Sequence, residues 1–539
     1  MATNPAPIEG KTFLGHPRGL FVLFFAEMWE RFSYYGMRAI LIFYLLQHWL
    51  FAEEKAYIIY GAYTALVYIT PVIGGLLADR YLGQRKAVQF GAILLVIGHG
   101  LMAFEGTGGQ DSPMLNVFWL ALAFIIMGVG FLKANISVIV GQLYGQGDPR
   151  RDPAFTIFYM GINLGAFFGS LLVGYLGQTW GWGWGFGAAG VGMLLGLIVF
   201  VWGKPHLLGR GEAPDAAALE RPVMGLPFLS LERGIYLAAL IGVGIVWLLV
   251  QYQSIVGGLL GVTGAAVVVY LLYTAVVKLD RIDRDRILAA LFLIALQPLF
   301  WALFEQAGSS LNVYTDEQVD RVIFGWEVPA SMFQSLNAAY IILLAPVFAW
   351  LWLALAKRGL EPSTPAKFGL GLIQLGAGFL VMVAGVLATG TETLTPVIFI
   401  FLVYLLHTMG ELCLSPVGLS AMTKLAPVKL MSLMMGTWFL STAAGNFIGG
   451  LIAQATGGHG AEVEGASATP VMDVYGTIGW VAIGVGVAVI AVSPFIKRLM
   501  HEDVDNEHHD RALAGQREIG EPAAAGVHTE QEKKPGEAR

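Results

Sequence analysis

The sequence has a single cysteine, Cys413, and few charged residues. One cysteine excludes an internal disulfide bond and a metal site built from cysteines. Only 13% of the 539 residues are charged, whereas about a quarter are charged in an average soluble domain. The mean hydropathy of +0.66 agrees with this deficit. Together these values exclude a soluble enzyme and indicate a protein that crosses a membrane several times.

Long apolar segments give the expected number of spans. A helix needs about 20 apolar residues to cross a bilayer, and fourteen such segments occur in the sequence. They lie at residues 19–49, 55–78, 87–105, 116–140, 153–178, 182–203, 232–252, 255–277, 287–308, 332–355, 368–389, 394–418, 430–456 and 473–496. We therefore expect an all-α polytopic membrane protein with 14 transmembrane helices.

Lysine and arginine positions predict the orientation of these spans. Cytoplasmic loops are enriched in these two residues. With a cytoplasmic N-terminus, three of the 32 lysines and arginines fall within spans, and only Lys55 and Arg321 lie outside. Because the number of spans is even, both termini are expected to be cytoplasmic.

The spans divide into six, two and six. The loop Gly75–Lys86 resembles the loop after the second helix of the major facilitator superfamily, which has two six-helix bundles around a central cavity. The tail is polar and has almost no large apolar residues, which predicts disorder. The expected divisions are a cytoplasmic N-terminus 1–18, an N-terminal bundle 19–203, a cytoplasmic linker 204–231, two extra helices 232–285, a C-terminal bundle 286–498 and a disordered cytoplasmic tail 499–539.

Charged residues inside the spans indicate the functional region. A charge at mid-bilayer costs a few kcal/mol, so such residues mark pathways, proton relays or gates. The candidates are Glu27, Glu30, Arg31, Arg38, Lys133, Glu305 and Glu411. Counting about 1.5 Å of rise per residue from the cytoplasmic ends places several of them in one layer with Tyr68, Tyr159, Asn163 and Trp438. This common depth predicts a central polar site.

Four motifs in these spans carry a family resemblance. Residues Glu27–Gly36 are similar to the ExxERFxYYG signature of the proton-dependent oligopeptide transporter family. Residues Gly130–Asn135, Phe158–Gly165 and Gly410–Pro416 resemble motifs in that family's fourth, fifth and tenth helices. The resemblance extends over residues 15–500 and includes the two extra helices of bacterial members. One departure is Gly61, which stands where animal members carry a second-helix histidine.

The resemblance implies import of di- and tripeptides with protons by alternating access, in the bacterial inner membrane, by a monomer without cofactor, metal or nucleic acid. It implies that Arg31 and Lys133 face the peptide carboxylate and that Glu411, Asn337 and Asn163 hold the amino end. Tyr34, Tyr35, Tyr68, Tyr159 and Trp438 would line side-chain pockets, with Ser415 beside Glu411. Proton coupling would involve Glu27, Glu30, Arg31, Lys133 and Glu305. The gates would be the pairs Arg38–Glu305 and Lys133–Glu411.

Several alternatives stay open from the sequence. A related transporter could carry nitrate or another small anion, although Glu27 and Glu30 would then lie beside an anionic substrate. A channel would show flux without counterflow. Asp316 is a rival partner for Arg38. Neither GxSxG nor HExxH occurs, so nothing predicts an intramembrane enzyme.

Overall fold

The structure is a computed structural model that describes residues 12–145, 148–223, 225–390, 393–427, 430–457 and 469–501. Residues 1–11 of the predicted N-terminal segment and residues 502–539 of the predicted tail lie outside the described residues.

Fourteen long helices, labelled here α1 to α14, occupy the described part of the chain. They are α1 Arg18–Phe43, α2 Glu53–Leu77, α3 Gln84–Met102, α4 Met114–Gln142, α5 Arg151–Thr179, α6 Trp182–Gly203, α7 Leu231–Gln251, α8 Gln253–Lys278, α9 Arg281–Phe304, α10 Ser335–Ala356, α11 Thr364–Thr389, α12 Ile398–Leu425, α13 Met431–Thr456 and α14 Thr469–Met500. Each overlaps one predicted span, so the fourteen-helix prediction is confirmed. Eleven are long and apolar enough to cross a membrane by length and composition alone, and α1, α3 and α13 are not among these eleven.

The smaller elements connect these helices. Single π-helical turns, Tyr44–His48 and Ala78–Leu82, extend α1 and α2. Short helices are Lys204–Leu207, Ala216–Leu219, Glu305–Gly308, Ser310–Gln318 and Ala330–Gln334. The strands form four two-stranded pairs: Thr12–Phe13 with His16–Pro17, Pro222–Val223 with Leu226–Ser230, Val322–Ile323 with Trp326–Glu327, all antiparallel, and Val319–Asp320 with Thr395–Pro396, parallel.

Two hydrophobic cores correspond to the two groups of six helices. One is built mostly from α1–α6 and the other mostly from α9–α14. Helices α1 and α5 approach closely because α5 has glycines at the contact. A Cβ atom at Gly165 would overlap the Met28 carbonyl and lie 2.9 Å from the Arg31 Cβ atom. This close packing holds the charged face of α1 in place.

The two extra helices, α7 and α8, lie at the edge of the molecule. Only 28% of the apolar window of α7 and 17% of that of α8 are buried. Their contacts are with α2, α4, α9 and α13. They therefore face surroundings that a bilayer would fill.

Several contacts join the two groups of six helices at one end of the molecule. We call the end that carries residues 49–53 the outer end and the opposite end the inner end, after the predicted orientation. At the outer end, Gln178 Oε1 accepts a hydrogen bond from Ser331 Oγ at 2.6 Å, and Asn312 Nδ2 donates to the Ala39 carbonyl at 3.0 Å. Gly61 of α2 packs against the backbone of α13. The outer end is thus closed between the two halves.

Candidate functional site

The charged face of α1 forms a buried ionic cluster. Arg31 Nε lies 2.9 Å from Glu27 Oε1 and 2.5 Å from Glu30 Oε2. All three residues are at most 3% exposed. Residues three or four positions apart share a helix face, which explains how one arginine reaches Glu27. One guanidinium is therefore shared by two carboxylates.

Lys133 of α4 supplies a second cation. Its ammonium group lies 3.9 Å from the centre of the Tyr68 ring on α2, a cation–π contact. It also interacts electrostatically with Glu27 and Glu30. Among the described residues, Lys133 has no carboxylate oxygen within 4.0 Å, so its charge remains available to an incoming anion.

A carboxylate from the second half lies in a separate polar group. Asn337 Nδ2 of α10 donates to Glu411 Oε2 at 2.9 Å and to Thr408 Oγ1 at 3.1 Å, both on α12. Thr408 and Glu411 are three residues apart and therefore share a helix face. No lysine or arginine of the described chain lies within 4.0 Å of Glu411, so this carboxylate has no cationic counter-charge among the described residues.

An ion pair joins the two halves at the outer end. Arg38 Nη1 of α1 lies 3.2 Å from Glu305 Oε1, at the end of α9, and both side chains are buried. The Tyr35 ring centre is 5.5 Å from the Arg38 guanidinium carbon. The rival partner Asp316 instead pairs with Arg321 at 3.3 Å. The arrangement thus matches the Arg38–Glu305 alternative and not the Asp316 one.

A small cavity lies between the outer ion pair and the Glu411 group. Its volume is about 30 Å³. Tyr35 and Arg38 line it from the first half, and Asn337, Tyr404 and His407 line it from the second. Arg38 of the outer ion pair and Asn337, the partner of Glu411, therefore border the same space.

The remaining predicted residues differ in their surroundings. Tyr159 is 42% exposed on the inner half of α5, whereas Tyr34 is buried beside Arg31. Asn163 donates to the Tyr159 carbonyl within its own helix at 3.0 Å. Trp438 is buried against the Phe368 ring. Ser415 is half-buried one helical turn after Glu411.

The second predicted gate pair is apart in this structure. No ion pair within 4.0 Å joins Lys133 to Glu411, although both residues are described. Each residue instead has the partner given above, Tyr68 for Lys133 and Asn337 for Glu411.

Some site residues were missed from the sequence. Tyr60 and Tyr63 of α2 are buried near Arg38 and Tyr34, and Thr408 binds Asn337. The spacing of Tyr60 and Tyr68 by eight residues places them on one face and was a usable signal. Across the described residues, no group of histidine, cysteine, aspartate or glutamate could hold a metal ion.

Known proteins are similar to this chain in sequence. The POT family matches residues 85–467 of the chain. The Uncharacterized transporter YclF of Bacillus subtilis is 40% identical over 502 residues, which are 92% of this chain and 97% of that protein. The Peptide transporter YePEPT of Yersinia enterocolitica is 38% identical over 487 residues, 85% of this chain and 91% of the relative.

A solved structure is similar in fold as well as in sequence. The crystal structure of a mutant of the peptide transporter POT, in complex with alafosfalin, has a TM-score of 0.78 and 38% sequence identity. The match covers 92% of this chain and 98% of that one. The chain is thus a polytopic membrane protein of the major facilitator type, and it belongs to the POT family of proton-dependent oligopeptide transporters.

Proposed function

We propose that this protein imports di- and tripeptides together with protons by alternating access. The observation that carries the proposal is the placement of charges on the two halves. Arg31 and Lys133 lie with Glu27 and Glu30 on the first half. Glu411 lies on the second half, with no lysine or arginine of the described residues within 4.0 Å. We place it in the bacterial inner membrane with both termini cytoplasmic, following the lysine and arginine count. It is expected to act as a monomer, because one chain carries both six-helix groups.

A short peptide is a zwitterion whose two charged ends are joined by an invariant backbone. Charge-assisted hydrogen bonds to carboxylates are among the stronger polar contacts, so Arg31 and Lys133 suit the carboxylate end. Glu411, oriented by Asn337, suits the ammonium end. A site that recognises the ends of a peptide accepts many side chains, with Tyr35, Tyr68 and Tyr159 as its aromatic walls.

Charge balance provides the coupling to protons. Glu27, Glu30, Arg31 and Lys133 form a neutral set when all four are ionised. A substrate carboxylate that binds Arg31 adds a negative charge and competes with the two glutamates for the cations. One glutamate then gains affinity for a proton, so that peptide and proton bind cooperatively. These groups titrate as a coupled set, and the proton belongs to the set.

The two predicted gate pairs fit alternating access. Arg38 and Glu305 are paired at the closed outer end, whereas Lys133 and Glu411 are apart. We propose that the pairs form in turn, the first when the site faces the cytoplasm and the second when it faces outward. One proton crossing 100 mV supplies about 2.3 kcal/mol. This is enough for roughly fiftyfold accumulation of a neutral solute.

The test is uptake of labelled dialanine into proteoliposomes of the purified protein. We expect accumulation above equilibrium only with an inward proton gradient and a negative interior. Unlabelled dipeptides should compete, and free alanine should not. Uptake of labelled nitrate in place of dialanine would support transport of a small anion and contradict the proposal.

A further inference from the structure

A second polar cavity lies at the inner end of the C-terminal half, away from the central site. Its volume is about 960 Å³. It is enclosed by the start of α11, the inner part of α12 and the end of α14. Its lining includes Glu361, Ser363, Lys367, Lys424, Leu425 and Lys497. We call this cavity the basic pocket.

One lysine of the basic pocket is buried. Lys367 is 7% exposed, and its ammonium group lies 2.5 Å from Glu361 Oε1. The same group is 4.6 Å from the centre of the Trp352 ring. These contacts fix the position of a cation in the wall of the cavity. Because Glu361 offsets only this charge, the other two lysines determine the sign of the pocket.

Lys424 and Lys497 provide the excess positive charge. Both are exposed in the last turns of α12 and α14. Within the described chain, neither has a carboxylate oxygen within 4.0 Å. Two cations that line one cavity, with no counter-charge among the described residues, favour binding of an anion.

The N-terminus of α11 adds to the positive electrostatic potential in the basic pocket. Ser363 is the N-cap of the 26-residue helix, and its side chain makes no capping hydrogen bond. The N-terminus of a helix carries a partial positive charge and free N–H groups that bind anions. Ser363 and Thr364 both line the cavity. The helix N-terminus thus adds to the positive charge of Lys424 and Lys497 in the same cavity.

We propose that the basic pocket binds a phosphate-bearing anion, the headgroup of an anionic membrane phospholipid. Basic pockets between transmembrane helices at the cytoplasmic side bind such headgroups. The apolar lining residues Val417, Leu425 and Met500 suit the adjoining glycerol and acyl carbons. Binding of this headgroup is a property separate from peptide transport. The bound headgroup would contact the inner parts of α11, α12 and α14.

The test is thermal unfolding of the purified full chain in neutral detergent, at constant ionic strength. The probes are dihexanoyl phosphatidylglycerol, dihexanoyl phosphatidylcholine and inorganic phosphate. We expect phosphatidylglycerol to raise the unfolding temperature and phosphatidylcholine not to do so. The variant Lys424→Gln/Lys497→Gln should bind phosphatidylglycerol at least about tenfold more weakly, since each lysine near an anionic lipid strengthens its binding about fivefold.

The matched control is Lys357→Gln/Arg358→Gln, which removes two exposed charges from the α10–α11 connection, outside the pocket. It should bind the lipid like the parent protein. An equal loss in both double variants would overturn the proposal, because it would mean a general charge effect. Equal stabilisation by inorganic phosphate would overturn the lipid as the source and support a free phosphate ligand. No response to any probe would overturn both.

Discussion

Arg38 of α1 and Glu305 at the end of α9 form an ion pair between the two halves of the protein, with 3.2 Å between Nη1 and Oε1. Arg38 and Glu305 are 6% and 4% exposed. A buried pair is costly to break because one charge is then left uncompensated. The pair therefore contributes to closure of the outer end, where Gln178 and Asn312 make further contacts between the halves.

Exchanging the two charges tests this closure. Arg38→Glu and Glu305→Arg each place two like charges together, and each should reduce peptide uptake to about a tenth or less. The double exchange should recover uptake at least about threefold over either single variant, because partners in contact are energetically coupled. Uptake is normalised to the amount of folded transporter. If uptake did not recover in the double variant, the proposal that Arg38 and Glu305 form a gate would be contradicted.

The variant Glu30→Gln tests whether peptide transport can be separated from proton coupling. The change keeps the size of the side chain but removes one of the two carboxylates that share Arg31. We expect exchange of labelled for unlabelled dialanine to persist, whereas accumulation driven by a proton gradient should be lost. The control is Glu54→Gln, an exposed carboxylate on the same half. If the Glu30 variant still accumulated dialanine fully against its gradient, Glu30 would not be part of the group of residues that couples peptide binding to proton binding.

Glu411→Gln tests recognition of the peptide amino end. Loss of the charge should weaken dialanine binding about tenfold or more, because a hydrogen bond to a charged group contributes about 1.5–3 kcal/mol. N-acetylated dialanine has no ammonium group, so its inhibition constant should be nearly the same in parent and variant. Competition assays against labelled dialanine give both values. Exposed Glu220→Gln is the control. Equal weakening of both ligands would argue against an ammonium contact.

Packing of α1 on α5 can be tested by a substitution that removes no charged group. Gly165→Ala places a methyl group against Met28 and Arg31, and should destabilise the protein by about 1–3 kcal/mol. Gly258 of α8 has no atom within 4 Å of an added Cβ, so Gly258→Ala should leave stability unchanged or slightly raised. Thermal unfolding in detergent compares the two. Equal unfolding temperatures would show that α5 does not hold α1 as described.

Much of the fold could be predicted from the sequence because it depends on local properties. Apolar length identified all fourteen long helices of the described chain, and most helix ends lie within a few residues of the predicted ones. The end of the first span is an exception. The prediction extends it to residue 49, whereas α1 ends at Phe43 and continues as the π-helical turn Tyr44–His48. Hydropathy does not distinguish these two kinds of helix.

Many residues of the candidate site could be named from the sequence, although Tyr60, Tyr63 and Thr408 were missed, but the contacts between helices could not. Helix periodicity brings Glu27, Glu30 and Arg31 to one face, since that requires one helix only. The contacts of Lys133 with Tyr68 and of Asn337 with Thr408 depend on how separate helices pack. Under the proposed alternating access, which gate pair is formed depends on a free-energy difference between two conformations, and no single sequence pattern encodes that difference. The roles of these residues remain predictions.

The most direct test of coupled peptide and proton transport is a proton measurement. Liposomes that contain the protein and an internal pH dye are clamped at a fixed membrane potential and given external dialanine without an initial pH difference. We predict that the interior acidifies as dialanine enters. With the Glu30→Gln variant, this acidification should be absent. Entry of dialanine without acidification would contradict proton-coupled symport.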